Sequence, residues 1–84
     1  MDRITVVVKL FAVYQEVLGL EEIQLCFPNH TPVAEILEQL LQIHPELKPW
    51  QTLTRFGVNL QLVGPETLLR DGDEVVLIPP VSGG

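Results

Sequence analysis

The sequence predicts an α+β domain in which one main helix lies across one face of a mixed sheet of four to five strands. Three observations lead there. Segments near both ends alternate apolar and polar residues with period two. A single stretch between them repeats its apolar residues at helical spacing. The last apolar run is nearly continuous, as a strand covered on both faces requires. With 84 residues and 46% apolar content, the chain is long enough for one domain around one modest core.

Taken in order, residues 3–10 place Ile4, Val6, Val8 and Leu10 on one side and Arg3, Thr5, Val7 and Lys9 on the other, the pattern of a half-covered strand. Residues 22–27 repeat it, with Ile23, Leu25 and Phe27 inward and Glu22, Gln24 and Cys26 outward. Gly19 marks the turn region between them, so a hairpin with a long connection is expected, with Phe11 and Tyr14 packed beneath it. Thr31 then stands where an N-cap belongs and Pro32 at the first helical position. Val33, Ile36, Leu37, Leu40, Leu41 and His44 follow at helical spacing, and Pro45 stops the helix. In residues 45–57, where Pro45 and Pro49 bracket Leu47, the expectation is a short helical turn, with Trp50, Leu53 and Phe56 completing the core. Residues 58–63 read as one strand with Val58, Leu60 and Leu62 on one side. Gly64-Pro65 turns the chain, Leu68 and Leu69 anchor a short piece, and Asp71-Gly72 turns it again. Residues 74–78 form a central strand that ends at Pro79-Pro80, because proline cannot donate to a ladder. The first and last long strands then lie side by side with the helix in their connection, a β-grasp, ubiquitin-like arrangement. The folded domain is expected over residues 1–79 and an extended arm over 80–84.

Charge narrows the function classes. Five Lys and Arg oppose eleven Asp and Glu, a net charge of −6. The five cations are scattered, which argues against nucleic acid, since phosphate neutralisation needs them clustered. A single cysteine, Cys26, cannot form an internal disulfide and points to a reducing compartment. There is no secretory pattern at the start and no apolar run near the ~18 residues of a membrane span. The expectation is a cytoplasmic chain with no membrane partner.

The minor candidates have plain readings. Asp71, Asp73 and Glu74 lack further spaced oxygen ligands and read as a solvated turn. Cys26 has no basic cluster beside it in sequence and reads as a small, half-buried filler. His30 reads as a turn residue and His44 as a helix-end residue, without the four ligands zinc needs, so no metal site is predicted. Val7 and Val63 are expected to point away from the helix-covered face. With Phe11 and Ile78 near the arm they suggest an interface, to which Phe11 and Ile78 are assigned as partner contacts.

The arm carries the chemistry. Pro79 and Pro80 restrict its start to extended geometry, whereas Ser82-Gly83-Gly84 has no such restraint. The last two residues have no Cβ, so they fit a passage that any larger residue would block. From Pro80 onward the arm spans about 16 Å at ~3.3 Å per residue. A terminal carboxylate is a poor electrophile until activated as an acyl-adenylate with ATP. Attack on that adenylate by a persulfide sulfur leads to a nucleophilic thiocarboxylate. The chain has no machinery for either step, so other proteins must supply it.

Phe11-Ala12, Glu16, Gly19, Val58-Asn59, Leu69 with Asp71-Gly72-Asp73-Glu74-Val75, and above all Pro79-Pro80-Val81-Ser82-Gly83-Gly84 resemble the small subunit of molybdopterin synthase, a ubiquitin-like sulfur carrier. The resemblance runs along nearly the whole chain. It implies that Gly84 is adenylated by a ubiquitin-activating-like adenylyltransferase and converted to a thiocarboxylate with a persulfide sulfur donor. It implies too that Pro79, Pro80, Val81, Ser82 and Gly83 dock the arm in the large subunit of molybdopterin synthase, where sulfur passes to cyclic pyranopterin monophosphate in molybdenum cofactor biosynthesis. The chain would be a non-catalytic sulfur-donor subunit of a heterotetramer. No cofactor would be bound permanently, ATP being used by the activating enzyme. The alternatives are a carrier for thiamine thiazole or cysteine synthesis, a ubiquitin-like modifier joined to lysines through Gly84, and an interaction module with an idle arm.

Overall fold

Alternation of Ile4, Val6 and Val8 with polar neighbours builds strand β1 (Arg3–Lys9), whose inward side chains are buried together with Leu10. The structure, a computed structural model, describes residues 2–80. After β1 come helix α1 (Val13–Leu18), strand β2 (Glu22–Pro28) and helix α2 (Ala34–Ile43). A 3-10 segment (Pro45–Leu53) leads into β3 (Arg55–Val58), β4 (Gln61–Val63) and β5 (Glu74–Ile78). The five strands form one sheet in the order β2-β1-β5-β3-β4. Only β1 and β5 are parallel, with Val8 opposite Val75; the other pairs are antiparallel. The first and last strands thus sit together, and the helix lies in their connection, as the β-grasp reading expects.

The core fills the space between α2 and the sheet. Val33, Ile36, Leu37 and Leu40 from the helical stripe meet Ile4, Val6, Val8, Phe27, Phe56, Val75 and Leu77 from the strands. β5 is buried along its inward side, which suits its place between β1 and β3. Among the described residues no helix is long and apolar enough to cross a membrane.

Four local expectations are corrected. The connection after β1 is not a plain loop but holds α1, closed by Gly19 at φ 72, whose N–H donates to the Gln15 carbonyl. Tyr14 is buried as expected, but Phe11 points out and is 51% exposed. Helix α2 starts two residues later than the Thr31-Pro32 signal implies. Pro32 is bridged to Leu68, the Val33 N–H donates to the Thr67 carbonyl, and the Thr31 hydroxyl donates to the Pro28 carbonyl at 2.6 Å. These residues tie the helix start to the segment before Leu69 instead of capping it. In the 3-10 segment Leu47 is buried and Trp50 half-buried, but Leu53 is exposed.

The fourth correction concerns residues 58–63, which are not one strand. Val58 pairs with Gln61 across a two-residue hairpin loop, Asn59-Leu60, with φ of 51 and 71. Positive φ at both positions is the type I′ turn that matches strand twist. Asn59 tolerates it; Leu60 does not favour it and is 94% exposed. Asn59 holds the turn in place. Its Nδ2 donates to Asp73 Oδ1 at 2.9 Å, and its Oδ1 accepts from the Glu74 N–H at 3.0 Å. Asp73 Oδ2 also accepts from the Arg70 N–H at 2.8 Å, so this buried carboxylate is partnered on both oxygens. Asp71 accepts from the Thr5 N–H, and Gly72 at φ 85 donates to the Thr5 carbonyl. The predicted turn therefore also staples the start of β5 to β1.

A buried hydroxyl chain joins α1 to the 3-10 segment and β3. Thr54 donates to the Trp50 carbonyl at 2.8 Å, so the hydrogen bond between Tyr14 and Thr54 is donated by the Tyr14 phenol. Burial pushes the phenol above its usual pKa, an effect opposed by the bond to Thr54. A raised folded-state pKa adds stability that is fully present below the unfolded value of about 10 and is lost as pH rises through the folded value. Stability should therefore fall on the alkaline side of about pH 10, and Tyr14→Phe should flatten that fall while costing about 1 kcal/mol at neutral pH. Denaturant unfolding at several pH values checks it. Tyr14 is the one tyrosine of the chain, so its ionisation can be followed directly by tyrosinate absorbance.

Candidate functional site

The site is built from the sheet face that α2 leaves open and from the point where the chain leaves β5. Alternation puts Leu77 and Val75 under the helix, so Glu74, Val76 and Ile78 face the other way. Register then sets their neighbours. Gly57 of β3 lies opposite Val76 on one side and Leu62 of β4 on the other, while Arg55 lies opposite Ile78. Val7 of β1 lies opposite Glu74. Val7, Val76, Ile78 and Leu62 thus form an apolar strip on the open face, with Leu62 66% exposed. Gly57 has no side chain, so the strip dips there; a Cβ would sit 3.7 Å from Val76 Cβ and 3.8 Å from Ile78 Cδ1.

A charged border closes the strip on the β2 side. Lys9 Nζ lies 2.7 Å from Glu22 Oε1 and 3.8 Å from Glu74 Oε2. The Glu22 hydrogen bond, followed by its charge, holds the Lys9 pKa above the ordinary value. The group is exposed, so solvent screens the pair and its structural value is small.

Phe11 and Ile78 stand just at the C-terminal ends of the two parallel central strands, β1 and β5. The chain turns sharply at Ala12, with φ 51, and this leaves Phe11 outside the core. The β3–β5 ladder stops at Arg55 and Ile78, because the next residue, Pro79, has no N–H to give. Pro79 is half-buried and Pro80 exposed, and both border a recess lined by Leu53, Arg55 and Ile78. The arm's root is therefore set beside the apolar strip. Val81, Ser82, Gly83 and Gly84 lie outside the described residues.

Of the residues singled out from sequence, Phe11, Ile78, Pro79 and Pro80 are gathered at one end of the sheet, and Val7 faces the open side. Val63 does not. It lies opposite Phe56 and packs against the core, because the turn at Asn59-Leu60 inverts the phase of the alternation. Leu62 takes the outward place instead. Leu62, Val76 and Arg55 were missed by sequence reasoning. The available signal was Asn59, a residue at home at positive φ.

The minor candidates resolve as ordinary structure, with one change. Cys26 is exposed on the open face rather than half-buried, with its Sγ 3.5 Å from Thr5 Oγ1. His30 sits in a turn at φ 68, and His44 ends α2, 3.8 Å from Glu46. The Asp71 and Asp73 oxygens are engaged as described above. Among the described residues no group of three or more His, Cys, Asp or Glu could hold a metal ion.

Comparison with known proteins agrees with this geometry. The model of the ThiS family matches residues 8–84. The molybdopterin synthase sulfur carrier subunit of Chlamydomonas reinhardtii is 36% identical over 76 residues, covering 88% of this chain and 92% of that protein. A complex of subunits 1 and 2 of the molybdopterin-converting factor from Helicobacter pylori contains a chain with a TM-score of 0.63 and 29% identity, covering 96% of this chain and 100% of that one. The small archaeal modifier protein 1 of Methanosarcina acetivorans matches with a TM-score of 0.77 and 30% identity, covering 100% of both chains. With the family model matching almost the whole chain and the β-grasp sheet in place, the chain belongs to the ThiS family of sulfur carrier subunits.

Proposed function

We propose that this chain is the sulfur carrier subunit of a molybdopterin synthase, in which residues 1–79 act as the grip and residues 80–84 as the arm that delivers sulfur. The observation that carries the reading is the placement of Pro79-Pro80 at the end of an apolar strip on an otherwise uncovered sheet face. A partner that covers the strip receives the arm at the same time. The relative in the H. pylori structure is bound to a second subunit.

In this reading the Gly84 carboxylate attacks the α-phosphate of ATP on an activating adenylyltransferase and releases pyrophosphate. A persulfide sulfur then attacks the acyl carbon and AMP leaves. A thiol cleaves the resulting acyl disulfide, and the terminal thiocarboxylate remains. The arm next enters the large subunit, and its sulfur passes to cyclic pyranopterin monophosphate. Gly83 and Gly84 offer no Cβ to obstruct the passage, while Pro79, Pro80, Val81 and Ser82 dock the arm. In this reading the acid, base and ATP chemistry belongs to the partner proteins, and the single cysteine fits a reducing, cytoplasmic setting.

Intact mass tests the reading. Incubation with ATP, the activating enzyme and a persulfide donor should add one oxygen-to-sulfur increment at Gly84. A second reading, protein modification, is favoured by the likeness to the archaeal modifier; it requires isopeptide-linked species on lysines. No mass change at all would refute both.

The strip supplies a further test. Ile78→Asp places a charge where the partner must exclude water. Binding to the large subunit should weaken by about 30-fold or more, the equivalent of a ~2 kcal/mol interface contact. Titration calorimetry measures it, and the unfolding midpoint should stay near wild type because Ile78 is only partly buried. Unchanged affinity would remove Ile78 from the interface.

A further inference from the structure

The open face has a cationic corner at the arm's root that the carrier chemistry does not use; Arg3, on the same face at the start of β1, is engaged by the Cys26 carbonyl. Arg55 opens β3 opposite Ile78, is exposed, and lines the recess at the arm's root with Leu53, Pro79 and Pro80. Among the described residues its guanidinium forms no ion pair. The contrast on the same face is Lys9, held between Glu22 and Glu74. Glu38, which lines an adjoining recess with Arg55, instead accepts a hydrogen bond from Gln51.

We infer that Arg55 determines partner specificity by pairing with a carboxylate on the large subunit, at the rim of the channel that takes the arm. This rests on the sulfur-carrier reading. Three features support it. The guanidinium presents a rigid fork of donors that fits a carboxylate in two-point geometry, so it sets orientation as well as attraction. Its neighbours Leu53 and Ile78 are apolar, so docking would shield the pair from water and strengthen it. Its place beside Pro79 links that orientation to the direction in which the arm departs. Arg55 stands at the arm's root, while the reacting group of the carrier reading lies five residues on, a stretch that can span up to about 16 Å. It is a positioning residue and acts on docking, not on chemistry.

The test measures binding of the purified chain to the large subunit at low and at high salt, for wild type, Arg55→Glu and Arg55→Lys. Arg55→Glu should weaken binding at low salt by about tenfold or more, through slower association and faster dissociation, and should reduce the salt dependence. Arg55→Lys should recover part of the loss. Sulfur transfer per complex at saturating large subunit should be unchanged. Arg55→Gln, which removes the charge but keeps the size, replaces the glutamate variant if that one melts early. An Arg55→Glu chain that binds as well as wild type with the same salt dependence, or more tightly, overturns the inference and leaves the carrier reading intact. A wild-type chain that fails to bind the large subunit at all overturns the carrier reading first.

Discussion

Deleting Gly84, or adding one residue after it, should abolish sulfur transfer while leaving the unfolding curve where it is. Reach is what the change destroys. One residue shifts the terminal carboxylate by about 3.3 Å or more along an extended arm. Reacting atoms need to approach to about 3–3.5 Å in aligned geometry, and an error of about 1 Å can already cost 10²-fold. A whole residue therefore exceeds what either partner enzyme could absorb, and an added side chain would also bring a Cβ into the passage. Stability is unaffected because the core ends at Leu77. Thiocarboxylate formation followed by mass, and molybdopterin production in a reconstituted synthase, are the readouts. A truncated chain that still yields molybdopterin would defeat the proposal, whereas a lowered melting point would show that the arm supports the fold.

The largest effect on stability should come from Leu77, which is next to Ile78 in β5 but on the opposite side of the sheet. Leu77 is fully buried in β5, the strand between β1 and β3, and packs in the core under α2. Leu77→Ala removes buried methyl groups and leaves a cavity that the centre of a sheet closes poorly. The expected cost is about 2–5 kcal/mol. A domain of this length has only about 4–12 kcal/mol in total, at 0.05–0.15 kcal/mol per residue. The melting point should drop by at least about 8 °C, given about 4–8 °C per kcal/mol in domains of this size. Thermal and denaturant unfolding measure it; a loss below about 1 kcal/mol would mean that the core around β5 repacks freely. Leu77→Ala and Ile78→Asp should thus separate cleanly, one acting on folding and the other on docking, although the residues are adjacent.

Long periodic segments were legible before the fold was seen. The inward sides of β1 and β5 and the stripe of α2 follow from residue type and spacing, because burial on one side imposes the period. Three features were not. Helix α1 has six residues, too few to show a helical repeat. The turn at Asn59-Leu60 was hidden because leucine is not a turn former, and the sheet imposes positive φ on it. The Thr31-Pro32 pair matches a helix cap by type but is used in a bridge to Leu68, a contact 36 residues away in sequence that local rules do not include. The last two misses are cases in which a long-range contact overrode a local preference.

The same division holds for the site. The chemistry proposed for the arm rests on residue identity alone: two prolines that favour extended geometry and two glycines without a Cβ. Residue identity also determined that the body would be a small α+β domain, since period two and period 3.6 demand different backbone geometries within each segment. Only the tertiary structure decided which side chains stand around the arm's root. Val7, Arg55, Leu62, Val76 and Ile78 come from four strands and become neighbours through the parallel β1–β5 pair and the β3–β4 hairpin. Periodicity is a property of one segment, whereas register between segments is settled by the whole sheet closing over its core.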